Sequence, residues 1–297
     1  MMETTLRKET TNVKKRESGH LWTLGPVVIW LVAFMVIPII IVIVMSFLTR
    51  GAYGNVEMKF TMENYVKIFK PVYMKVLGNS LLLSLATTLL CLIFGYPFAY
   101  YIARSPKKYR GILFLLIMIP FWTNSLIRTY AWIILLRTSG IINSYLIFFH
   151  IIKKPIQMLY TNGAVLLGLT YTLFPFMVLP LYSSIEGLDK SYLEAASDLG
   201  ASPWKTFLKV TLPLTKPGIV AGSMLVFIPT LGLFFIPDLM GGSKIMFISN
   251  FIKNQFLTAR DWPFGSAVSI VVIALTFIII ALYFKLSGDD GDGIEVL

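Results

Sequence analysis

The chain has 297 residues, of which 56% are hydrophobic and 14% charged, and its mean hydropathy is +0.75. Soluble domains have roughly 45–50% apolar and about 25% charged residues, so this composition excludes a soluble protein and indicates an integral membrane protein. The net charge of +11 does not indicate nucleic-acid binding, because the Lys and Arg lie in short clusters beside apolar segments. A single cysteine, Cys91, and two histidines exclude an intramolecular disulfide and a metal site built from the usual ligands.

Six segments are long and apolar enough to cross a bilayer, which takes about 20 helical residues. They are residues 27–48, 81–102, 111–136, 163–181, 218–237 and 266–284. A shorter apolar stretch, residues 141–152, contains Asn143 and Ser144 and is interpreted as interfacial or packed on the outer surface. The even number of spans places both termini on one side of the membrane.

The orientation follows from the linker between the second and third spans. Only eight residues, 103–110, join them, and four are basic: Arg104, Lys107, Lys108 and Arg110. Such clusters are typical of cytoplasmic loops, so the termini and the loop at about residues 185–216 are predicted to be cytoplasmic too. The predicted fold is an all-α polytopic membrane protein with a cytoplasmic basic N-terminal segment (1–24), a six-helix membrane domain (25–286) and an acidic tail (287–297), native or added.

The loop at residues 185–216 has the local signals of two short helices. Asp189 or Ser191 can cap the first helix, and Gly200 supplies the left-handed turn that ends it. Ser202 and Pro203 start the second helix, and Pro213 is predicted to end it.

Two interpretations of this loop are open from the pattern alone. It is a solvated connector, or it is a docking element for another protein. Leu199, Trp204 and Phe207 favour the second, because the loop has no domain of its own in which to bury them.

The same loop resembles the EAA loop of ABC-importer permeases of the MetI-like type, through Glu194-Ala195-Ala196, Gly200 and the distal Leu212-Pro213. The resemblance implies that the first helix docks on a cytoplasmic ATPase and couples ATP hydrolysis to transport. The implied coupling residues are Leu193, Glu194, Ala195, Ala196, Asp198, Leu199, Gly200 and Ala201. This chain needs no cofactor in that reading, since ATP and Mg²⁺ bind in the partner ATPase subunits.

Three further blocks resemble PotB-type permeases of spermidine/putrescine importers: FTMENY (60–65), PFWTNSLIRTYAW (120–132) and DLMGG (238–242). The resemblance implies a polyamine substrate and a bacterial cell-membrane location. It also implies two ATPase subunits, a second related permease and an extracytoplasmic binding protein as partners. A permease for iron, sulfate or another small solute is the alternative, and the preferred polyamine is left open.

A translocation path for polyamines needs carboxylates and aromatic faces, because cation–π contacts contribute about 0.5–2 kcal/mol each. Asp238 is the one acid that abuts an apolar span. The candidate path residues are Trp122, Asn124, Tyr130, Trp132, Phe234, Phe235 and Asp238. An interfacial aromatic belt with a helix-end cap is the alternative explanation.

Arg128 is the only ionisable residue well inside a predicted span. A positive charge is unfavourable in a cation path, so a structural role, in which Arg128 bonds carbonyls or an acid, is favoured over substrate binding. A membrane enzyme is disfavoured because the sequence has no HExxH, Ser-His-Asp or Walker A pattern, and ATP hydrolysis is expected in a separate chain. A channel is the remaining alternative, and it would not require the docking loop.

Overall fold

A computed structural model describes residues 24–242 and 245–287 of the chain. Most of the predicted N-terminal segment and of the acidic tail lies outside these residues. The helices are α1 (Leu24–Ser46), α2 (Glu63–Ile68), α3 (Pro71–Arg104), α4 (Lys107–Trp122), α5 (Ser125–Leu136), α6 (Ile141–Phe148), α7 (Asn162–Glu186), α8 (Lys190–Asp198), α9 (Pro203–Leu214), α10 (Lys216–Gly232), α11 (Ile248–Leu257) and α12 (Trp262–Ser287). Strands β1 (Leu48–Arg50) and β2 (Val56–Phe60) form an antiparallel hairpin between α1 and α2.

The all-α membrane fold is confirmed, with the hairpin as a small addition. Five described stretches are long and apolar enough to span a membrane, and a sixth is gained when the bent pair α9 and α10 counts as one. The five are Leu24–Ser46, Pro71–Arg104, Ser125–Phe148, Asn162–Glu186 and Trp262–Leu282. The stretch predicted as interfacial, residues 141–152, thus contributes α6 to one candidate span.

The predicted third span is not one continuous helix. Helix α4 ends at Trp122 and α5 begins at Ser125. The Thr123 hydroxyl donates to the Pro120 carbonyl (2.7 Å), and the Asn124 side chain accepts from the backbone N–H of Leu126 (2.8 Å). Pro120 has no N–H to donate in the last turn of α4, and Asn124 caps the helix that follows, so the polar pair Thr123-Asn124 marks the break.

Helices α3, α7 and α10 pack together and form the main core. Two glycines at the start of α10 allow the close approach: a Cβ at Gly218 would lie 2.5 Å from the Ser184 Cβ, and one at Gly222 would lie 2.8 Å from the Met177 sulfur. Cys91 is fully buried in this core. Since the glycines leave little space between α10 and α7, these helices move together more easily than they slide past each other.

The bundle has two distinct ends. Arg110, at the start of α4, forms an ion pair with Glu186 at the end of α7, so the basic linker 103–110 and the loop that starts after Glu186 lie together at one end, the basic end. The hairpin marks the other, the hairpin end, where Arg50 donates to the Ala259 carbonyl (2.7 Å) just before α12. Helix α3 runs between them over 34 residues, about 50 Å.

The FTMENY block fixes the hairpin end to the first span. The Asn64 side-chain N–H groups donate to the carbonyls of Ser46 (3.0 Å) and Leu48 (2.9 Å), and the Tyr65 hydroxyl lies 2.7 Å from the Ser46 hydroxyl. The Phe60 ring stacks on Phe47, with centroids 5.6 Å apart. These contacts give the block a structural role at the exit of α1.

Candidate coupling loop and translocation site

The first helix of the loop, α8, begins at an aspartate cap. The Asp189 carboxylate accepts from the backbone N–H of Ser191 (3.0 Å), which settles the choice between the two predicted caps in favour of Asp189. Hydrogen bonds from the Ser191 backbone and hydroxyl lower the pKa of the Asp189 carboxyl. The capping carboxylate is therefore ionised at neutral pH and lies at the positive end of the helix dipole.

The C-terminus of α8 closes in a Schellman motif. Gly200 has φ +75°, in the left-handed region, as predicted. Its N–H donates to the Ser197 carbonyl (2.8 Å), and the Ala201 N–H donates to the Ala196 carbonyl (3.0 Å). These two bonds satisfy the last carbonyls of the helix and set the angle at which the chain turns into α9.

The predicted coupling residues lie on one short helix, but they do not share one environment. Ala196 is buried inside the chain, while Leu193 and Ala201 are half-buried. The exposed members are Glu194, Ala195, Asp198, Leu199 and Gly200. Leu199 is 89% exposed, and Trp204 on the next helix is 68% exposed. The exposed leucine and tryptophan are apolar surface that no described residue covers.

The second helix begins and ends where it was predicted to, within one residue. Ser202 caps it by accepting from the backbone N–H of Lys205 (3.4 Å), and Pro203 occupies its first turn. Pro213 lies in its last turn, and α9 ends at Leu214 and meets α10 at a 64° bend. A π-helical turn at Phe207–Thr211 precedes the proline and was not predicted.

Aromatic contacts fix α9 to the central helix α3. The Phe207 ring meets the Tyr96 ring edge-on, with centroids 5.5 Å apart, and lies 6.4 Å from the Tyr100 ring. The Tyr96 hydroxyl lies 2.8 Å from the hydroxyl of Thr215, at the bend between α9 and α10. Tyr96 and Thr215 are both buried. The loop is thus part of the bundle and not a loose connector.

At the hairpin end, Asp238 lies in a short π-helical turn, Pro237–Gly241, beyond α10. Its carboxylate forms an ion pair with Lys253 and accepts a hydrogen bond from the Asn250 side chain, both on α11. The Lys253 ammonium also lies 5.6 Å from the centroid of the Phe234 ring. Asp238 and Phe234, two of the predicted path residues, therefore both lie next to the same cation, the Lys253 ammonium.

Sequence reasoning missed Asn250 and Lys253. They are three residues apart on α11 and thus on one helical face, but nothing in their spacing points to an acid twelve and fifteen residues earlier. The amphipathic pattern of residues 248–257 was the available signal.

Arg128 and Trp132 line a different space, a cavity of about 1000 Å³ between α3, α4, α5 and α7. The guanidinium of Arg128 lies 5.6 Å from the Phe121 ring centroid and 5.7 Å from that of Tyr171. Trp132 also packs edge-on against Tyr171, with centroids 5.5 Å apart. The Arg128 Nε is buried and has no hydrogen-bond partner among the described residues. The guanidinium therefore lies against aromatic rings, whereas the sequence analysis expected it to bond carbonyls or an acid.

The other candidate path residues divide into two groups. Phe235 lies next to Phe234, with ring centroids 6.5 Å apart, and it packs with Trp132 against a buried cluster that includes Ile236 and Met240. Trp122 and Tyr130 are exposed on the surface of the chain, and Asn124 caps α5. The structure therefore brings together Asp238, Phe234 and Phe235 from the predicted set.

Comparison with known proteins identifies the family. Residues 95–287 match the model of the binding-protein-dependent transport system inner membrane component. The chain is 50% identical over 258 residues to the "Spermidine/putrescine transport system permease protein PotB" of Escherichia coli K12, covering 87% of this chain and 94% of that protein. It is 48% identical over 256 residues to the protein of the same name in Haemophilus influenzae, covering 86% and 90%.

Solved structures agree on the fold. A bacterial ABC transporter for the import of alginate has a chain that superimposes with a TM-score of 0.75 at 18% identity, covering 95% of this chain and 99% of that one. A complex of the bacterial alginate transporter with a periplasmic protein bound to alginate pentasaccharide gives a TM-score of 0.71 at 20% identity, covering 93% and 96%. The chain therefore belongs to the MetI-like family of inner-membrane permease components of ABC importers, and it is a transport subunit, not an enzyme.

Proposed function

We propose that this chain is the permease subunit of an ATP-driven importer of polyamines, the class that includes spermidine and putrescine. The observation that carries the substrate class is 50% identity over 258 residues with a permease named for spermidine and putrescine transport. A mutual coverage of about nine-tenths means that the likeness extends over the whole membrane bundle.

In this proposal, α8 is the coupling helix. Its exposed residues Glu194, Ala195 and Asp198, together with Leu199 and Gly200 in the turn that follows, dock on a cytoplasmic ATPase subunit, and each of two such subunits binds its own ATP and Mg²⁺. The exposed Leu199 and Trp204 supply the apolar contact, and the Schellman turn holds α8 at a fixed angle to α9. Because Phe207 and Thr215 join α9 to α3, a displacement of α8 is delivered to the bundle.

The basic end faces the cytoplasm in this assignment, and both termini lie on that side. Its support is the basic linker 103–110, which the Arg110–Glu186 pair holds next to the loop. The hairpin end then faces outward, toward an extracytoplasmic binding protein that delivers substrate. A second, related permease supplies the other half of the pathway, so the working unit is a heterodimer.

The pathway itself runs past Asp238 and Phe234, which supply a carboxylate and an aromatic face near the outer end of α10. Trp122, Asn124, Tyr130, Trp132 and Phe235 remain proposed lining residues. Arg128 has a structural role, in which it holds α4, α5 and α7 together through the Phe121 and Tyr171 rings.

Reconstitution tests the proposal. The chain is incorporated into proteoliposomes with its candidate partner permease, ATPase and binding protein, and uptake of labelled spermidine, putrescine, sulfate and iron is measured in parallel with and without ATP. The expected result is ATP-dependent uptake of a polyamine alone. ATP-dependent uptake of sulfate or iron without polyamine uptake would refute the substrate class, and polyamine flux that needs no ATPase subunit would refute the importer mechanism.

A further inference from the structure

The contacts of Lys253 define a small site at the hairpin end, formed by Asp238, Asn250 and the Phe234 ring. A carboxylate neutralises the lysine ammonium, and an aromatic face lies 5.6 Å from it. A carboxylate beside an aromatic ring is the arrangement by which proteins recognise alkylammonium groups.

Asn250 adds a second, independent observation. It is only 3% exposed, and its side-chain N–H groups donate to Asp238 and to the Phe234 carbonyl (2.9 Å). Because both of these neighbours are acceptors, the amide orientation is fixed with the nitrogen toward them. The amide oxygen is then left buried without a hydrogen-bond donor among the described residues. An unused buried acceptor on the residue that binds Asp238 is a group that an N–H donor would satisfy.

The chemistry of lysine itself suggests the ligand. Its side chain is a four-carbon chain that ends in a primary ammonium, and this is one end of putrescine with the same carbon spacing. The group that Lys253 places next to Asp238 and Phe234, a primary ammonium, is therefore the group that a polyamine would place there. The lysine belongs to α11 and Asp238 to the turn after α10, so the ion pair also joins two elements of the hairpin end.

We propose that Asp238, Asn250 and Phe234 form a binding site for a primary alkylammonium group, and that Lys253 fills this site until the ammonium of a substrate displaces it. The identity of the substrate as a polyamine rests on the proposed function; the ammonium site does not. The exchange replaces one ammonium by another on the same carboxylate, and the displaced Lys253 ammonium then loses its ion pair, which offsets part of the binding energy. A site of this kind binds weakly and releases readily, as a transport path requires.

The site can be tested without any partner protein by removing the lysine that fills it and adding a small ammonium compound. Lys253→Ala removes the internal ammonium, and thermal unfolding of the purified full-length chain is followed in detergent with n-butylammonium chloride. Tetramethylammonium chloride at equal ionic strength is the control for charge without N–H donors. At a concentration ten times the dissociation constant, bound butylammonium is expected to raise the Tm of Lys253→Ala by about 2 °C. Wild type, with its site filled, is expected not to respond.

Two matched variants make the result specific. Lys253→Ala/Asp238→Asn is expected to lose the response. Lys67→Ala, which removes a lysine 6.0 Å from the Phe264 ring centroid and leaves Lys253 in place, is expected to show no response, like wild type. No rise in Lys253→Ala, or an equal rise in wild type, in the double variant or with tetramethylammonium, would overturn the proposal.

If Lys253→Ala does not fold, Lys253→Cys replaces it, and a thiol-specific aminoethyl reagent then restores an ammonium at position 253. Cys91 is fully buried and is therefore protected from the reagent. The butylammonium response is expected before the modification and not after it, and a response that the modification leaves unchanged would overturn the proposal. Wild-type polyamine uptake is measured separately, so its absence refutes the proposed function, whereas uptake without a butylammonium response refutes only the ammonium site.

Discussion

Gly200 gives the sharpest test of the coupling role, because its backbone conformation disfavours a side chain whereas the space around it would admit one. Its φ of +75° lies in the region that disfavours side chains, most strongly β-branched ones. A Cβ built at this position meets no heavy atom within 4 Å, so there is room for a side chain. Gly200→Val therefore acts through the backbone conformation alone. Gly200→Asn is the matched control, since asparagine adopts this conformation readily.

The expected magnitude follows from that conformational cost. Holding a residue other than glycine in the left-handed region costs roughly 1–2 kcal/mol. That energy corresponds to a factor of about 5–30 in the population of the Schellman turn, and hence of the angle between α8 and α9. We expect Gly200→Val to lower uptake about 5–30-fold and Gly200→Asn to lower it less than about twofold. Insertion should be unchanged in both variants, because Gly200 is exposed and contributes nothing to the core.

The assay is the ratio of substrate taken up to ATP hydrolysed in proteoliposomes that contain the full importer. Uncoupling lowers this ratio, whereas misfolding lowers the amount of inserted protein and leaves the ratio of the surviving molecules unchanged. Equal ratios for Gly200→Val and Gly200→Asn would refute the reasoning. So would a loss of uptake fully accounted for by less inserted protein.

Three further outcomes are expected. Glu194→Lys and Leu199→Asp should reduce ATPase binding in pull-down assays while Tm stays within about 2 °C of wild type, because both side chains are exposed; normal binding in both would remove them from the interface. Gly218→Val should destabilise the bundle by about 1–3 kcal/mol in thermal unfolding, whereas Gly78→Ala, which meets nothing within 4 Å, should be neutral or stabilising. Asn64→Ala should cost about 1–3 kcal/mol, since it leaves two carbonyls at the exit of α1 without their donor; an unchanged Tm would show that water replaces the amide.

The features predicted correctly from sequence are those that local chemistry decides. Asp189, Gly200 and Ser202 act through hydrogen bonds to residues no more than a few positions away, so their roles can be read from spacing. The apolar segments are equally local, because the bilayer requires a minimum length of each helix separately. The break at Thr123-Asn124 was not predicted, although its signal is local too, since an asparagine after Pro120 is a cap signal that hydropathy alone does not register.

The features that were missed depend on packing between distant segments. The partner of Asp238 lies across a turn and on another helix, and the rings that face Arg128 come from α4 and α7. Such pairings are set by how the helices cross, for which one sequence carries no direct signal.

The two proposed sites lie at opposite ends of the bundle, and one helix links them. Helix α10 begins directly after Thr215, whose hydroxyl lies next to that of Tyr96, and the turn that carries Asp238 follows its other end. Gly218 and Gly222 bring the first half of α10 into such close contact with α7 that it cannot slide without moving that helix. A push on α8 would therefore be transmitted to α10 as a rotation or tilt about this contact, with the larger displacement at the far end. Since Lys253 belongs to α11, a tilt of α10 changes the distance between Asp238 and its internal ammonium, and the ATP-driven movement would thereby open the proposed ammonium site.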